Sequence, residues 1–196
     1  MAGFWEGEGC MAFSIIKRDG YKFGIQLIPK VSITQHEDAF FILDWIQLYF
    51  GGHGSLWNLK KKPHFWTYQL ENRPLIKKYF IPFYEKYLLK RSGKAETFHI
   101  FKEILTRMQD NEHFEIEGCK RLVRLAHRMN FNKGSSRKRT LDEILSIIDS
   151  KAASSTGYYG MTVPQLVAAC KEKGIKGYSN LPKQNLINFL EEYDSK

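Results

Sequence analysis

Three cysteines in 196 residues (Cys10, Cys119 and Cys170) are too few, too scattered and odd in number for a disulfide framework. No CxxC pair exists to seed a structural zinc site, and the scarcity of thiol pairs points to a reducing compartment. No apolar run reaches the roughly 18 residues that cross a bilayer. Nothing resembles a phosphate loop, a dinucleotide fingerprint or a Ser-His-Asp constellation. The six histidines show no metal-ligand spacing, so His36, His53 and His64 read as hydrogen-bonding surface groups rather than catalysts. The opening MAGFWEGEG is acidic and glycine-rich, unlike a signal peptide or an Arg-rich transit sequence. Collagen, coiled coil, full-length disorder and a membrane channel are excluded.

What is present is a globular composition, 43% hydrophobic and 26% charged, long enough for one full core and a small appendage. Thirty Lys and Arg against twenty-one Asp and Glu leave a formal charge of +9. Residues 151–196 hold six Lys and four acids, or +2, which leaves +7 on residues 1–150. Such a balance favours a polyanionic partner, nucleic acid or an anionic membrane surface.

Along the chain, period-2 alternation runs from Met11 to Ile16, breaks at Arg18-Asp19-Gly20, and resumes from Phe23 to Ile33. This predicts a β-hairpin, with Pro29 where no ladder donor is needed. His36 to Phe50 reads as an amphipathic helix stopped by Gly51-Gly52. A second hairpin follows, Ser55–Lys60 and His64–Leu70 about a turn at 61–63. Residues 74–90, 94–109 and 112–130 read as helices, and 133–139 as a basic loop. Thr140 caps a short helix, 141–148, with Glu143 at the capping-box position. Ser150 to Thr156 is small and polar, a linker. Two amphipathic segments, 163–173 and 182–193, then form a small module of their own.

Residues 2–9, AGFWEGEG, resemble the signature helix of the LAGLIDADG homing endonucleases. Glu8 stands at the catalytic acid and Gly3 and Gly7 at the small packing positions. Small residues four apart let two helices approach backbone to backbone. The resemblance continues through the hairpin spacing, SITQHE at 32–37, FGGHGS at 50–55, RPL at 73–75 and SSRKRT at 135–140. It implies an α+β fold over 1–149: αββαββα, with a four-stranded antiparallel saddle that binds DNA. Residues 150–157 link it to a small all-α helix-extended-helix module at 158–196, similar to SAP or Rho N-terminal modules. Family members carry further residues before the motif, and Met1 here takes the place of its first Leu. Glu8 also replaces the usual final Asp; both supply an oxygen ligand to a hard cation.

With no second motif, the two-acid site requires a homodimer, packed through Ala2, Gly3, Phe4 and Gly7, on a near-palindromic double-stranded DNA target. The resemblance assigns catalysis to Glu8, Gln35, Arg91 and Lys94, with Glu8 ligating Mg²⁺ (or Mn²⁺). Gln35 would organise water, and the basic residues after the third long helix would stabilise transition-state charge. Glu6 matches a less critical acid. DNA reading falls to Ser14, Ile16, Arg18, Gln26, Ile28, Lys30 and Ser32 on the first hairpin. Ser55, Trp57, Trp66 and Tyr68 are the candidates on the second. Arg137, Lys138 and Arg139, and Lys60–Lys62, would neutralise backbone phosphates.

The implied function is a homing endonuclease making metal-dependent double-strand breaks at an intron- or intein-insertion site. The alternatives are a maturase acting on intron RNA and a catalytically degenerate DNA-binding relative. No membrane partner is implied. An organelle, chloroplast or mitochondrion, is the preferred location over phage or prokaryotic cytoplasm.

Overall fold

A short helix, α1 (Ala2–Glu8), runs without a loop into strand β1 (Gly9–Lys17), so the acidic end of the helix is also the start of a sheet. The computed structural model of the chain describes residues 1–87, 92–129, 139–153, 157–178 and 181–194. β1 pairs antiparallel with β2 (Ile25–His36) from Gly9↔Ile33 to Lys17↔Ile25. β2 pairs with β4 (Lys62–Leu70), and β4 with β3 (Ser55–Leu59), giving one sheet in the order β1-β2-β4-β3. β2 is longer than its alternation predicts, taking in His36. A 3-10 turn (Glu37–Ala39) separates it from α2 (Phe40–Tyr49).

Residues alternate across the sheet. Met11, Phe13, Ile25, Leu27, Val31, Ile33, Tyr68 and Leu70 face a buried core, while the intervening residues of β1 and β2 turn to the other face, where Thr67 of β4 is buried. Helices cover only the core face, as expected when an antiparallel sheet leaves one side to solvent or a ligand.

The third helical region begins at α3 (Arg73–Leu75), where the Asn72 side chain caps the Leu75 N–H at 3.0 Å. It widens into a π-helical stretch (Ile76–Phe80) before α4 (Ile81–Tyr87). Pro82 lacks an N–H for the Lys78 carbonyl and its ring would strike that oxygen, so the wider turn accommodates it. α5 (Ala95–Gln109) and α6 (Ile116–Arg128) complete the core, with a 3-10 turn (Glu112–Phe114) in place of the first turn predicted for the latter. The aromatic centre joins Trp5 to Phe80 at 5.0 Å, and Tyr84 to Phe98 at 4.8 Å.

α7 (Leu141–Ala153) starts at the expected capping box: the Glu143 N–H donates to Thr140 Oγ1 at 3.2 Å and the Thr140 N–H donates to Glu143 Oε2 at 2.7 Å. It runs past its predicted end because Ile148 is buried and the small residues Ala152 and Ala153 favour helix. The predicted linker is therefore helical as far as Ala153, and its remaining residues 154–156 lie outside the described ones.

The C-terminal segment has a core of its own. α8 (Val163–Glu172) and α9 (Lys183–Asp194) bury Leu166, Cys170, Leu186, Ile187 and Leu190 against one another. Asp194 accepts from the Tyr158 hydroxyl and from the Lys173 ammonium, each at 2.5 Å.

Candidate active site and nucleic-acid interface

α1 is too short to stand alone, and its first anchor is one side chain. Trp5 is fully buried, edge-on to Phe50 at 6.1 Å and tilted over Phe80. Gly9 makes the abrupt turn from helix to strand feasible. A Cβ there would lie 2.5 Å from the Trp5 ring and from the Trp5 carbonyl oxygen, closer than atoms pack. Gly3 and Gly7 differ: a Cβ at either meets nothing within 4 Å of the same chain.

The two acids of α1 have different surroundings. The Tyr84 hydroxyl donates to Glu6 Oε2 at 2.5 Å. Burial, reinforced by that carboxylate, drives the Tyr84 phenol well above its ordinary range, so it stays a donor. Glu8 is exposed, and no described residue makes a hydrogen bond or ion pair with its carboxylate. Gln35 lies two residues beyond Ile33, the partner of Gly9, on the overhang of β2 that flanks the end of α1. Gln35 pairs with Trp66 of β4 on that overhang. The exposed Glu8 carboxylate is a hard oxygen donor of the kind that suits Mg²⁺ or Mn²⁺.

Lys94 departs from expectation. Its side chain is buried, and Nζ donates to the main-chain oxygens of Trp5 (3.1 Å), Gly7 (3.1 Å) and Glu6. An ammonium has three protons, and here three carbonyls at the end of α1 receive them. Lys94 thus caps the helix from the start of α5 rather than facing solvent as a free cation. Arg91 lies outside the described residues, as do Arg137 and Lys138. Arg139 is exposed just before the capping box of α7.

The open face of the sheet follows from the register. On the first hairpin, Ser14 sits opposite Ile28, Ile16 opposite Gln26, and Ser32 opposite Cys10, with Lys30 opposite Ala12. Arg18 is exposed in the turn beyond β1. On the second, Ser55 pairs with Gln69 and Trp57 with Thr67, and the Thr67 hydroxyl is 2.8 Å from that of Thr34.

Trp66 and Tyr68 are corrected. Both fall on the core side: Tyr68 is fully buried, parallel to Phe50, and its hydroxyl donates to the His53 carbonyl at 3.0 Å. Trp66 packs edge-on against Phe40 at 4.9 Å. The aromatic run Phe65-Trp66-Tyr68 occupies both parities, so alternation alone does not settle its faces; the pairing of Tyr68 with the buried Ile33 of β2 does. The sequence reading missed Cys10, Ala12, Thr34, Phe65, Thr67 and Gln69 on this face. Extending the β1 and β2 alternation would have found the first three.

Residues 1–105 match the sequence profile described as LAGLIDADG endonuclease. The chain belongs to the LAGLIDADG endonuclease family. Residues 159–196 match the profile of the Rho termination factor N-terminal domain. "Homing endonuclease I-ApeII" of Aeropyrum pernix is 28% identical over 151 residues, 76% of this chain and 87% of that one. "Probable intron-encoded endonuclease 2" of Neurospora crassa is 29% identical over 137 residues, which cover 70% of this chain but only 29% of that relative. Among solved LAGLIDADG structures, the archaeal intron-encoded homing endonuclease I-Vdi141I complexed with DNA superposes with a TM-score of 0.71 at 32% identity. That match covers 78% of this chain and 94% of the other. Among the described residues, no helix is long and apolar enough to cross a membrane.

Proposed function

We propose that this protein is a site-specific homing endonuclease, working as a homodimer that makes divalent-metal-dependent double-strand breaks in a long, near-palindromic DNA site and so promotes the mobility of its intron or intein. The observation that carries the proposal is the geometry at the end of α1. Glu8 projects unengaged while Glu6 is held by Tyr84, and one carboxylate per chain calls for a second copy to complete a two-acid site. Gly3 and Gly7 support the same conclusion, since nothing within the subunit demands glycine at either position. Their bare surface suits the close approach of a second α1.

α2 supplies further support for pairing. Phe41, Leu48, Trp45 and Tyr49 are 70%, 65%, 51% and 49% exposed, an apolar stripe at helical spacing. A stripe of that size is unusual on a lone subunit. It lies on the helix whose end, Phe50, contacts Trp5 of α1.

Bound by Glu8 and its symmetry mate, Mg²⁺ or Mn²⁺ would supply charge neutralisation at the scissile phosphate and a water of lowered pKa. Gln35 would orient that water. The open sheet face, with its hydroxyls, amides, Ile16 and Ile28, reads base edges in the major groove. Arg18, Lys30 and the basic segment ending at Arg139 contact phosphates. The C-terminal module adds nucleic-acid affinity by tethering.

The test is cleavage of a randomised palindromic DNA library in Mg²⁺, beside Ca²⁺ and a Glu8→Gln variant. Discrete cuts that need both Mg²⁺ and Glu8 support the reading. Binding to DNA without cuts returns the degenerate reading, and preferential binding of intron RNA returns the maturase.

A further inference from the structure

We propose that His36, Glu37 and His64 form a binding site for a borderline divalent transition-metal ion, represented by Zn²⁺. Glu37 and His64 are 27 residues apart in sequence, His36 lies one residue further, and the three meet because β2 ends at His36 opposite Phe65 of β4. Glu37 opens the turn that follows β2, and His64 precedes Phe65. One nitrogen or oxygen from each side chain lies within 4.8 Å of the other two. His64 Nδ1 is 2.8 Å from Glu37 Oε1, and the two imidazoles stack with centroids 5.9 Å apart and planes 25° apart.

Tetrahedral zinc with metal–ligand bonds of about 2.0–2.1 Å sets its ligand atoms about 3.3 Å apart. The three side chains are exposed and so free to rotate toward that spacing from their 4.8 Å spread. Asp38 Oδ2 lies 3.0 Å from His36 Nδ1, the carboxylate–histidine arrangement that orients a ligating ring. Two imidazoles and one carboxylate favour Zn²⁺, Co²⁺, Ni²⁺ or Cu²⁺ over the hard ions that suit Glu8. The site is thus chemically separate from the proposed nuclease centre.

Its consequence is mechanical. β4 pairs with β2 only from Phe65 onward, so Lys62 to His64 extend past the ladder. A metal held by His36, Glu37 and His64 would staple that end of the second hairpin to the corner between β2 and α2.

The test uses the full chain, stripped with chelator and carrying Cys10→Ser to remove the exposed thiol. Isothermal titration with ZnCl₂ is compared for this protein, His36→Asn, His64→Gln and the double variant, with circular dichroism verifying that each folds. The expected result is one Zn²⁺ per chain, affinity at least about tenfold weaker in each single variant, and a rise of the melting temperature in Zn²⁺ that is absent in Mg²⁺. Absence of binding, binding that survives in the double variant, or an equal response to Mg²⁺ would overturn the site.

Discussion

The Lys94 ammonium donates to the main-chain oxygen of Gly7 at 3.1 Å, one residue before Glu8. The first residues of α5 thereby hold the last turn of α1, and with it the direction in which Glu8 projects. Lys94→Met keeps the length of the side chain and leaves three carbonyls without their buried donor. We expect a loss of about 1–3 kcal/mol in stability, measured by urea unfolding. Lys94→Arg should recover only part of it, since a planar guanidinium cannot aim three donors into one small space.

Glu8→Gln removes the charge and keeps the shape of the side chain. DNA cleavage should fall by about 10²–10³-fold, the scale for loss of one group that stabilises the transition state. DNA affinity measured in Ca²⁺ should change little. Equal cutting by the variant would remove Glu8 from the site.

The glycines of α1 and its end should separate by variant. Gly9→Ala puts a Cβ onto Trp5 and should cost about 1–3 kcal/mol in the monomer and dimer alike. The Cβ of Gly7→Leu meets nothing within 4 Å of its own chain, so thermal unfolding of the subunit should be little altered. Sedimentation should instead show it as a monomer where the native chain is a dimer.

Cys10 is exposed on the open face of the sheet, whereas Cys119 and Cys170 are buried. Burial also pushes the Cys119 thiol up to about 11, far from the reactive thiolate. A native sample should therefore release one equivalent of chromophore rapidly with a thiol reagent, and three after unfolding. Target DNA should protect the fast thiol if this face reads the duplex. Unchanged reactivity in the complex would move the DNA elsewhere.

His113 is held below its ordinary 6.5 by burial and, to a lesser degree, by the positive charge of Arg73. The unfolded chain therefore takes up this proton more readily than the folded one. The contribution of the neutral ring is present above about pH 6.5 and is lost as pH falls below it. Urea midpoints compared at about pH 7.5 and 5 should drop more for the native protein than for His113→Gln. An identical drop in both would assign the slope to other groups.

Short-range features of this protein were legible in the sequence because their causes are short-range. Strand alternation, the Gly51-Gly52 stop and the Thr140 capping box each depend on neighbours a few positions away, and the resemblance of residues 2–9 and the segments after them to the LAGLIDADG family implied how these elements assemble. What only the tertiary structure decided are meetings between distant segments. Lys94 became a helix cap because α5 begins beneath the end of α1, and Glu6 was taken by Tyr84 because α4 packs there. Tyr68 went to the core because β4 pairs with β2 so that Tyr68 stands opposite the buried Ile33, and Trp66 shares its parity; a shift of one residue would exchange the two faces of the strand. His36, Glu37 and His64 show no ligand spacing along the chain, and converge only through the register of β2 on β4.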